Sequence, residues 1–277
     1  MGASHPDGPC VAIGASRNGA PLGLAFGQIG NPVSDMHSLF VVNAERGRGA
    51  GTNLLTMLEK EMGRLGARRL RCCFLEKPGQ SPALARVLEK RGWPAPAPHK
   101  VFAKFAVTRM LEAPFSREYK LSPGFSVALW RDITPSQREA LRLECETLDW
   151  VPASLVPFKF ERALEERNSL VLLLDGRVVG WQLTQRLHPE TLSYSCSYMH
   201  PRLQTRGLIL KLYVETMRLQ VRDAPEYPNA YFVVPVQFKG MVGFTRNRLG
   251  PFLSELGVFQ ETIKNVDSSL IPSISGP

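Results

Sequence analysis

The sequence predicts an α/β (α+β) chain in which one strand-and-helix plan is written twice. Three observations carry this. The 277 residues exceed the usual size of one domain. Asn18-Gly19 and Asp175-Gly176 each divide a pair of apolar runs, as two-residue hairpin turns do. The third is a constant offset: Gly19 to Gly176 is 157 residues and Gly49 to Gly207 is 158, the mark of an internal duplication.

In the first half, "CVAIGAS" and "PLGLAFGQI" read as the two arms of the first hairpin, and "MHSLFVV" as a third strand. The glycine-rich "ERGRGAG" (45–51) then hands over to a helix over 52–66, with Leu54, Leu55, Leu58, Met62 and Leu65 at helical spacing. "RRLRCCFLE" resumes as a strand, 82–91 suits a short helix, and "HKVFAKFAV" a closing strand. The second half repeats the order. "SLVLLLDGRVVGWQLTQ" is the hairpin and "LSYSCSYMH" the next strand; "PRLQTRGLILKLYVETMRLQV" is a loop entering a helix and "NAYFVVPV" the following strand. "FSVALW" and "SQREALRLECETLDW" add a strand and helix with no counterpart before the first hairpin, so the first copy is trimmed at its front. "LEAPFSREYKLSPG" has the prolines, charges and turn formers of a linker. The expected division is therefore a domain over 1–110, a linker over 111–124 and a domain over 125–277.

Lys plus Arg outnumber Asp plus Glu by 34 to 25, a formal charge of +9 that favours an anionic partner: nucleic acid, a phosphorylated cofactor or an acidic peptide. No aromatic-and-basic platform or helix-turn-helix pattern supports nucleic acid. Five cysteines without C-x-x-C spacing argue against a disulfide framework and against a zinc site, so no metal is expected and a reducing cytoplasm fits. "MGASHPDGP" lacks the regions of a signal peptide, Pro6 stands where a myristoylation signal needs Ser or Thr, and "LVLLL" is too short to span a bilayer, so no membrane partner is expected.

A loop whose N–H groups point outward at the head of a helix favours anions, and glycine lets a phosphate approach closely. Arg46 to Gly51 fits neither the P-loop nor the dinucleotide pattern. It matches R-x-x-G-x-G, and "LFVVNAERGRGAGTNLLTMLE" resembles the strand, loop and helix that hold the pyrophosphate of coenzyme A in the GCN5-related N-acetyltransferases. "SPALARVLEKRGW" is similar to a later helix of that family. "HPRLQTRGLI" and "FLSELGV" repeat both segments in the second half, which makes the chain resemble a tandem member. The resemblance implies two domains, each a mixed, mostly antiparallel sheet flanked by helices. It assigns acetyl-CoA or another acyl-CoA to the first copy, at Phe40, Val41, Val42, Arg46, Gly47, Arg48, Gly49, Ala50, Gly51 and Thr52, with Ser81 on the pantetheine arm. In the second copy Gln204 and Gly207 stand for Arg46 and Gly49, and Ile209 stands for Gly51. A β-branched side chain there would crowd a phosphate, so the second loop reads as a relic with an acceptor-side or structural role.

The implied activity is N-acyl transfer by direct attack of an amine on the thioester, with acetyl as the default acyl group and a longer chain on a peptide or secondary metabolite as an alternative. The tyrosine that family members use as acid is replaced by Leu88 in one copy and Leu253 in the other. Asp35 and His37, on and near the third strand, are candidate bases, histidine being the side chain that ordinarily titrates nearest neutral pH. Cys73 is a candidate nucleophile, since Cys72 and Cys73 face opposite ways on one strand. Tyr194, Tyr198 and His200 are candidates for an acceptor pocket taking an amine-bearing small molecule or peptide. A competing reading is a non-catalytic tandem fold that binds an acidic peptide or nucleic acid.

Overall fold

The computed structural model describes residues 8–77, 83–117, 120–148 and 150–266. The elements in chain order are β1 (Cys10–Arg17), β2 (Ala20–Gln28), β3 (Ser34–Val41), α1 (Ala50–Arg64), β4 (Arg69–Glu76), α2 (Ala83–Lys90), β5 (Ala97–Ala106) and α3 (Val107–Met110). There follow β6 (Phe125–Leu129), α4 (Pro135–Thr147), β7 (Leu170–Leu174), β8 (Arg177–His188), β9 (Thr191–Met199), α5 (Leu208–Asp223), β10 (Asn229–Pro235), α6 (Lys239–Phe244) and β11 (Glu255–Asn265).

The chain forms two compact units, one from the residues up to Lys100 with those from Gly257 onward, the other from Val101 to Leu256. This departs from the division expected over 111–124. Val107, Met110, Ala113 and Ser116 are buried. Met110 and Phe115 pack in one cluster with Val214 and Met217 of α5. Pro114 of that stretch starts a 3-10 turn over Pro114–Ser116 that buries Ser116 against the second unit rather than marking a linker. "FLSELGV" also differs from its expected helix, since it runs from a 3-10 turn into β11, a strand the apolar pattern did not announce.

The first unit's strands run in the order β1-β2-β3-β4-β11, antiparallel except for β3 against β4. Asn18 (φ 50°) and Gly19 (φ 80°) take the left-handed conformations that a two-residue hairpin needs. Leu54, Leu55, Leu58 and Met62 of α1 bury against one face of this sheet, joined by Leu84, Val87 and Leu88 of α2. A Cβ on Gly27 would come within 2.8 Å of the Met62 sulfur and 2.9 Å of the Asp35 carbonyl, so glycine at that position lets α1 lie close on β2. Glu59 of α1 is buried and locks three segments: it accepts from Trp93 Nε1 at 2.6 Å, Arg91 NH2 at 2.8 Å and Lys264 Nζ of β11 at 3.1 Å.

The second unit's order is β5-β10-β9-β8-β7-β6. Asp175 (φ 48°) and Gly176 (φ 80°) repeat the first hairpin's turn. Leu208 and Leu212 of α5 pack on one face with Leu170 and Leu172. Leu141 of α4 packs in a separate cluster with Trp181, Leu183 and Cys196. A Thr134 and Gln137 capping box starts α4. In the first unit, α1 and α2 both pack into the one cluster with Leu54 and Met62, and no element among the described residues answers to α4. Glu255, which opens β11, stands 158 residues beyond Ala97, which opens β5. The closing strand of each copy thus serves largely in the other copy's unit. Among the described residues, no helix is long and apolar enough to cross a membrane.

Candidate active site

The site is built where β3 leaves its neighbour. β3 and β4 pair in parallel over Ser34–Met36 and Leu70–Cys72. Beyond Met36 and Cys72 the two strands are no longer paired, which leaves a wedge toward their C-terminal ends. β2 and β3 shift register between Phe26 and Gly27: Met36 faces Gly27 and Ser38 faces Phe26, so His37 is the extra residue of a bulge. β3 ends at Val41, and a 3-10 turn over Asn43–Glu45 leads into the glycine loop.

Two left-handed residues shape that loop, Gly47 at φ 79° and Gly49, the N-cap of α1, at φ 88°. Only glycine takes these angles without strain. Arg46 Nε donates to the Val41 carbonyl at 2.9 Å and so fastens the loop to the strand end. The opening amides of a helix have no intrahelical acceptor; here the bond from Asn53 N to the Gly49 carbonyl, 3.0 Å, is the first of α1. Residues 46–49 are exposed. A Cβ added at Gly47 or Gly49 would meet nothing within 4 Å, so the mouth of this cradle is open. At Gly51 an added Cβ would lie 3.6 Å from Val41 Cγ2 and 3.9 Å from Val87 Cγ2, which places that glycine between the end of β3 and α2. Glu45 accepts from Arg17 at 3.1 Å and from Arg48 at 3.5 Å, leaving Arg48 largely in solvent. The residues fit a diphosphate: outward amides, two glycines, nearby cations and open access.

The second unit keeps the scaffold of this loop. Gln204 Nε2 donates to the Met199 carbonyl at 3.0 Å, the same five-residue span as Arg46 to Val41. Gly207, at φ 67°, caps α5 as Gly49 caps α1. Thr205 stands where the first copy has Gly47, and a 3-10 turn runs unbroken over Pro201–Arg206. Ile209 packs against the cluster containing Met199, Leu203 and Leu208.

The expected catalytic residues meet different fates. Asp35 is held by Arg71 through two bonds, Nε to Oδ1 at 2.6 Å and NH2 to Oδ2 at 2.9 Å, which makes it an anchor for that guanidinium rather than a free base. His37 is exposed at the bulge, stacked on Phe26 at 5.7 Å between centroids. Cys73 faces away from the core, opposite buried Cys72. Burial, and then the Glu261 carboxylate, push the Cys73 thiol up from its ordinary value, the reverse of an activated nucleophile. Burial pushes the Cys72 thiol up to about 12. Phe40 lies on the sheet face away from α1 and is 52% exposed, so its side chain is not directed to the α1 side as Val41 is. Ser81 lies outside the described residues. Leu88 is fully buried in the first unit's core, and Leu253 packs in the second's.

The structure does not bring the three acceptor candidates together. Tyr194 is buried, donates to Gln220 Oε1 at 2.9 Å and lines an apolar cavity with Phe105, Tyr213 and Phe232. Tyr198 donates to the Trp150 carbonyl at 2.7 Å in the cluster under α4. His200 lies against Trp150 at 4.8 Å, and its Nδ1 accepts from the Arg202 amide. Burial, then Arg177 and Arg202, pull its imidazole below the ordinary value.

Three residues that sequence reasoning missed stand beside the wedge. Glu261 of β11 pairs opposite Cys73. Arg71 NH1 lies 3.9 Å and His99 Nε2 3.8 Å from its carboxylate. No local pattern announces this meeting, because Glu261 is 188 positions from Cys73 and arrives only through the exchanged strand. Among the described residues no group of His, Cys, Asp and Glu could hold a metal ion.

Comparison with known proteins adds the following. The acetyltransferase (GNAT) family pattern matches residues 2–93. Comparison with curated proteins gives no match. Among solved structures, a tandem GNAT protein from the clavulanic acid biosynthesis pathway is similar at a TM-score of 0.73 and 16% identity, covering 95% of this chain and 84% of that one. A GCN5-related N-acetyltransferase from Sphaerobacter thermophilus is similar at 0.64 and 17%, covering 95% and 82%. One from Kribbella flavida is similar at 0.54 and 12%, covering 91% and 89%. Residues 2–93 thus carry the pattern of the acetyltransferase (GNAT) family, and the chain as a whole has the fold of the tandem GNAT protein.

Proposed function

We propose that the protein is an acyl-CoA-dependent N-acyltransferase whose first unit holds the acyl donor. The observation that carries this is the open amide cradle at the head of α1, with Gly47 and Gly49 in left-handed conformations and Arg46 tied to the strand end. The diphosphate of coenzyme A sits on these amides, and the wedge between β3 and β4 takes the extended arm, with the thioester toward His37 and Cys73. An amine then attacks the carbonyl carbon, the N–C bond forms and the C–S bond breaks. His37 takes one proton from the acceptor nitrogen, and that proton passes through water to the departing thiolate, leaving the amide, free coenzyme A and His37 as it began. Acetyl is the default group, and the acceptor is an amine-bearing small molecule or peptide. The second unit, with Thr205 in its loop and Ile209 at the head of α5, serves the fold or the acceptor and not a second donor. Five free cysteines suit a reducing compartment, the cytoplasm.

Calorimetric titration with coenzyme A tests the reading. The wild type should bind one equivalent. Gly49→Glu, which adds strain at a left-handed position and a carboxylate at the diphosphate, should lose about a hundredfold or more in affinity, or about 3 kcal/mol, with the folded circular dichroism spectrum retained. Equal binding by both proteins, or none by the wild type, sinks it.

A further inference from the structure

Around the wedge, the two faces of the first unit's sheet are unlike. On one, α1 and α2 cover the strands with Leu54, Leu55, Leu58 and Leu88. On the other, Leu24 is 44% and Phe40 52% exposed, and they face each other across β2 and β3. Phe26, stacked on His37, continues this apolar strip to the edge of the wedge. The far bank carries Cys73 and, opposite it, Glu261. Asp35 already occupies Arg71 with two short bonds, so the guanidinium stands 3.9 Å from Glu261 without closing a hydrogen bond to it. His99 Nε2 is also beyond bonding distance, at 3.8 Å, and burial holds its imidazole down toward the neutral form. Lys100 is a further cation in this neighbourhood. Among the described residues no side chain thus closes a hydrogen bond to the Glu261 carboxylate, which stands at the edge of the wedge across from an apolar bank.

We infer that this open face is the acceptor site and that it selects an amine carried on an apolar, preferably aromatic, body: the ammonium meets Glu261, and the body lies over Phe26, Leu24 and Phe40. The inference rests on the acyltransferase reading above, since the thioester in the wedge gives the acceptor something to attack once the ammonium docked at Glu261 has lost one proton to solvent. A carboxylate discriminates cation from anion, and a ring on an apolar strip adds buried area that a bare amine lacks.

The test titrates 2-phenylethylamine, ethylamine and phenylacetate into the full-length protein saturated with coenzyme A. Phenylethylamine should bind, ethylamine about tenfold more weakly, and phenylacetate not measurably. Glu261→Gln should weaken phenylethylamine by about tenfold or more while coenzyme A affinity stays within about twofold, which also shows the variant to be folded. The double change Leu24→Gln with Phe40→Gln should erase the gap between the two amines. No amine binding, equal binding of amine and acid, or an unaltered affinity in Glu261→Gln overturns the inference and leaves the donor site standing. Failure of the wild type to bind coenzyme A sinks the donor reading instead, and the same titrations on the unloaded protein still decide whether Glu261 holds an amine.

Discussion

Two buried carboxylates show how single residues hold this molecule, and they differ in what they tie. Glu59 receives an indole N–H, a guanidinium and an ammonium from three segments. Its removal strands Trp93, Arg91 and Lys264, although the two cations keep some contact with water. Glu59→Ala should therefore cost about 3 kcal/mol and lower the melting temperature by roughly 10 °C, measured by scanning calorimetry. Glu165 lies in the second unit with its side chain 1% exposed. Burial alone would raise its carboxyl, but bonds from Arg167 at 2.7 Å and 2.8 Å outweigh that and hold it below the ordinary carboxylate value. A depressed acid stabilises the fold fully above its unfolded value, about pH 4.3, and that contribution fades as pH falls through the lower folded value. Glu165→Gln should consequently be less stable than wild type at pH 7, and the difference should shrink as melts are run from pH 5 toward pH 3. A gap that stays constant with pH would mean that the charge is not what Glu165 contributes.

At the level of elements, the duplication offers its own control for the donor loop. Arg46 and Gln204 occupy equivalent positions and make the same bond to the strand-end carbonyl, one with a charge and one without. Arg46→Gln should then keep the loop's shape and hold coenzyme A within about fivefold of wild type, whereas Arg46→Ala, which loses the bond as well, should fall by a further factor of about five, or about 1 kcal/mol. Titration calorimetry separates these, and equal losses would mean that charge alone matters. The strand, loop and helix around Arg46 were legible in the sequence because each is local: apolar periodicity, two glycines needing positive φ and a hairpin dipeptide are all written within a few residues. The wedge was not, because strand pairing sets it, and neither was the Asp35–Arg71 pair, whose partners are 36 positions apart. The separation of the two tyrosine candidates was hidden for a related reason. The register shift between Leu183 and Thr184 sends Tyr194 and Tyr198 to different clusters, and a count of alternating positions does not show a bulge.

Over the whole molecule, the exchanged closing strands decide which piece of chain makes a working unit. The sequence showed two copies through the offset of their glycines, and a division at the proline-rich stretch followed naturally. The copies are nonetheless not the units, since β11 pairs along β4 from Val258–Glu76 to Asn265–Arg69 while most of β5 belongs to the second unit. A fragment ending at 110 therefore keeps every residue of the donor loop yet lacks the strand that flanks β4, the Lys264 ammonium on Glu59 and the Thr262 hydroxyl that donates to the Pro94 carbonyl at 2.8 Å. It also exposes an unpaired edge beside the wedge, the kind of edge that seeks another strand. We expect residues 1–110 alone, or the chain cut after Leu256, to aggregate or stay unfolded and to bind no coenzyme A. Supplying a peptide of residues 255–266 to the chain cut after Leu256 should restore part of the binding, read by calorimetry. If the 1–110 fragment folds alone and binds coenzyme A with wild-type affinity, then β11 is an accessory to the first unit, and Glu261 loses the fixed register on which its place beside the wedge depends.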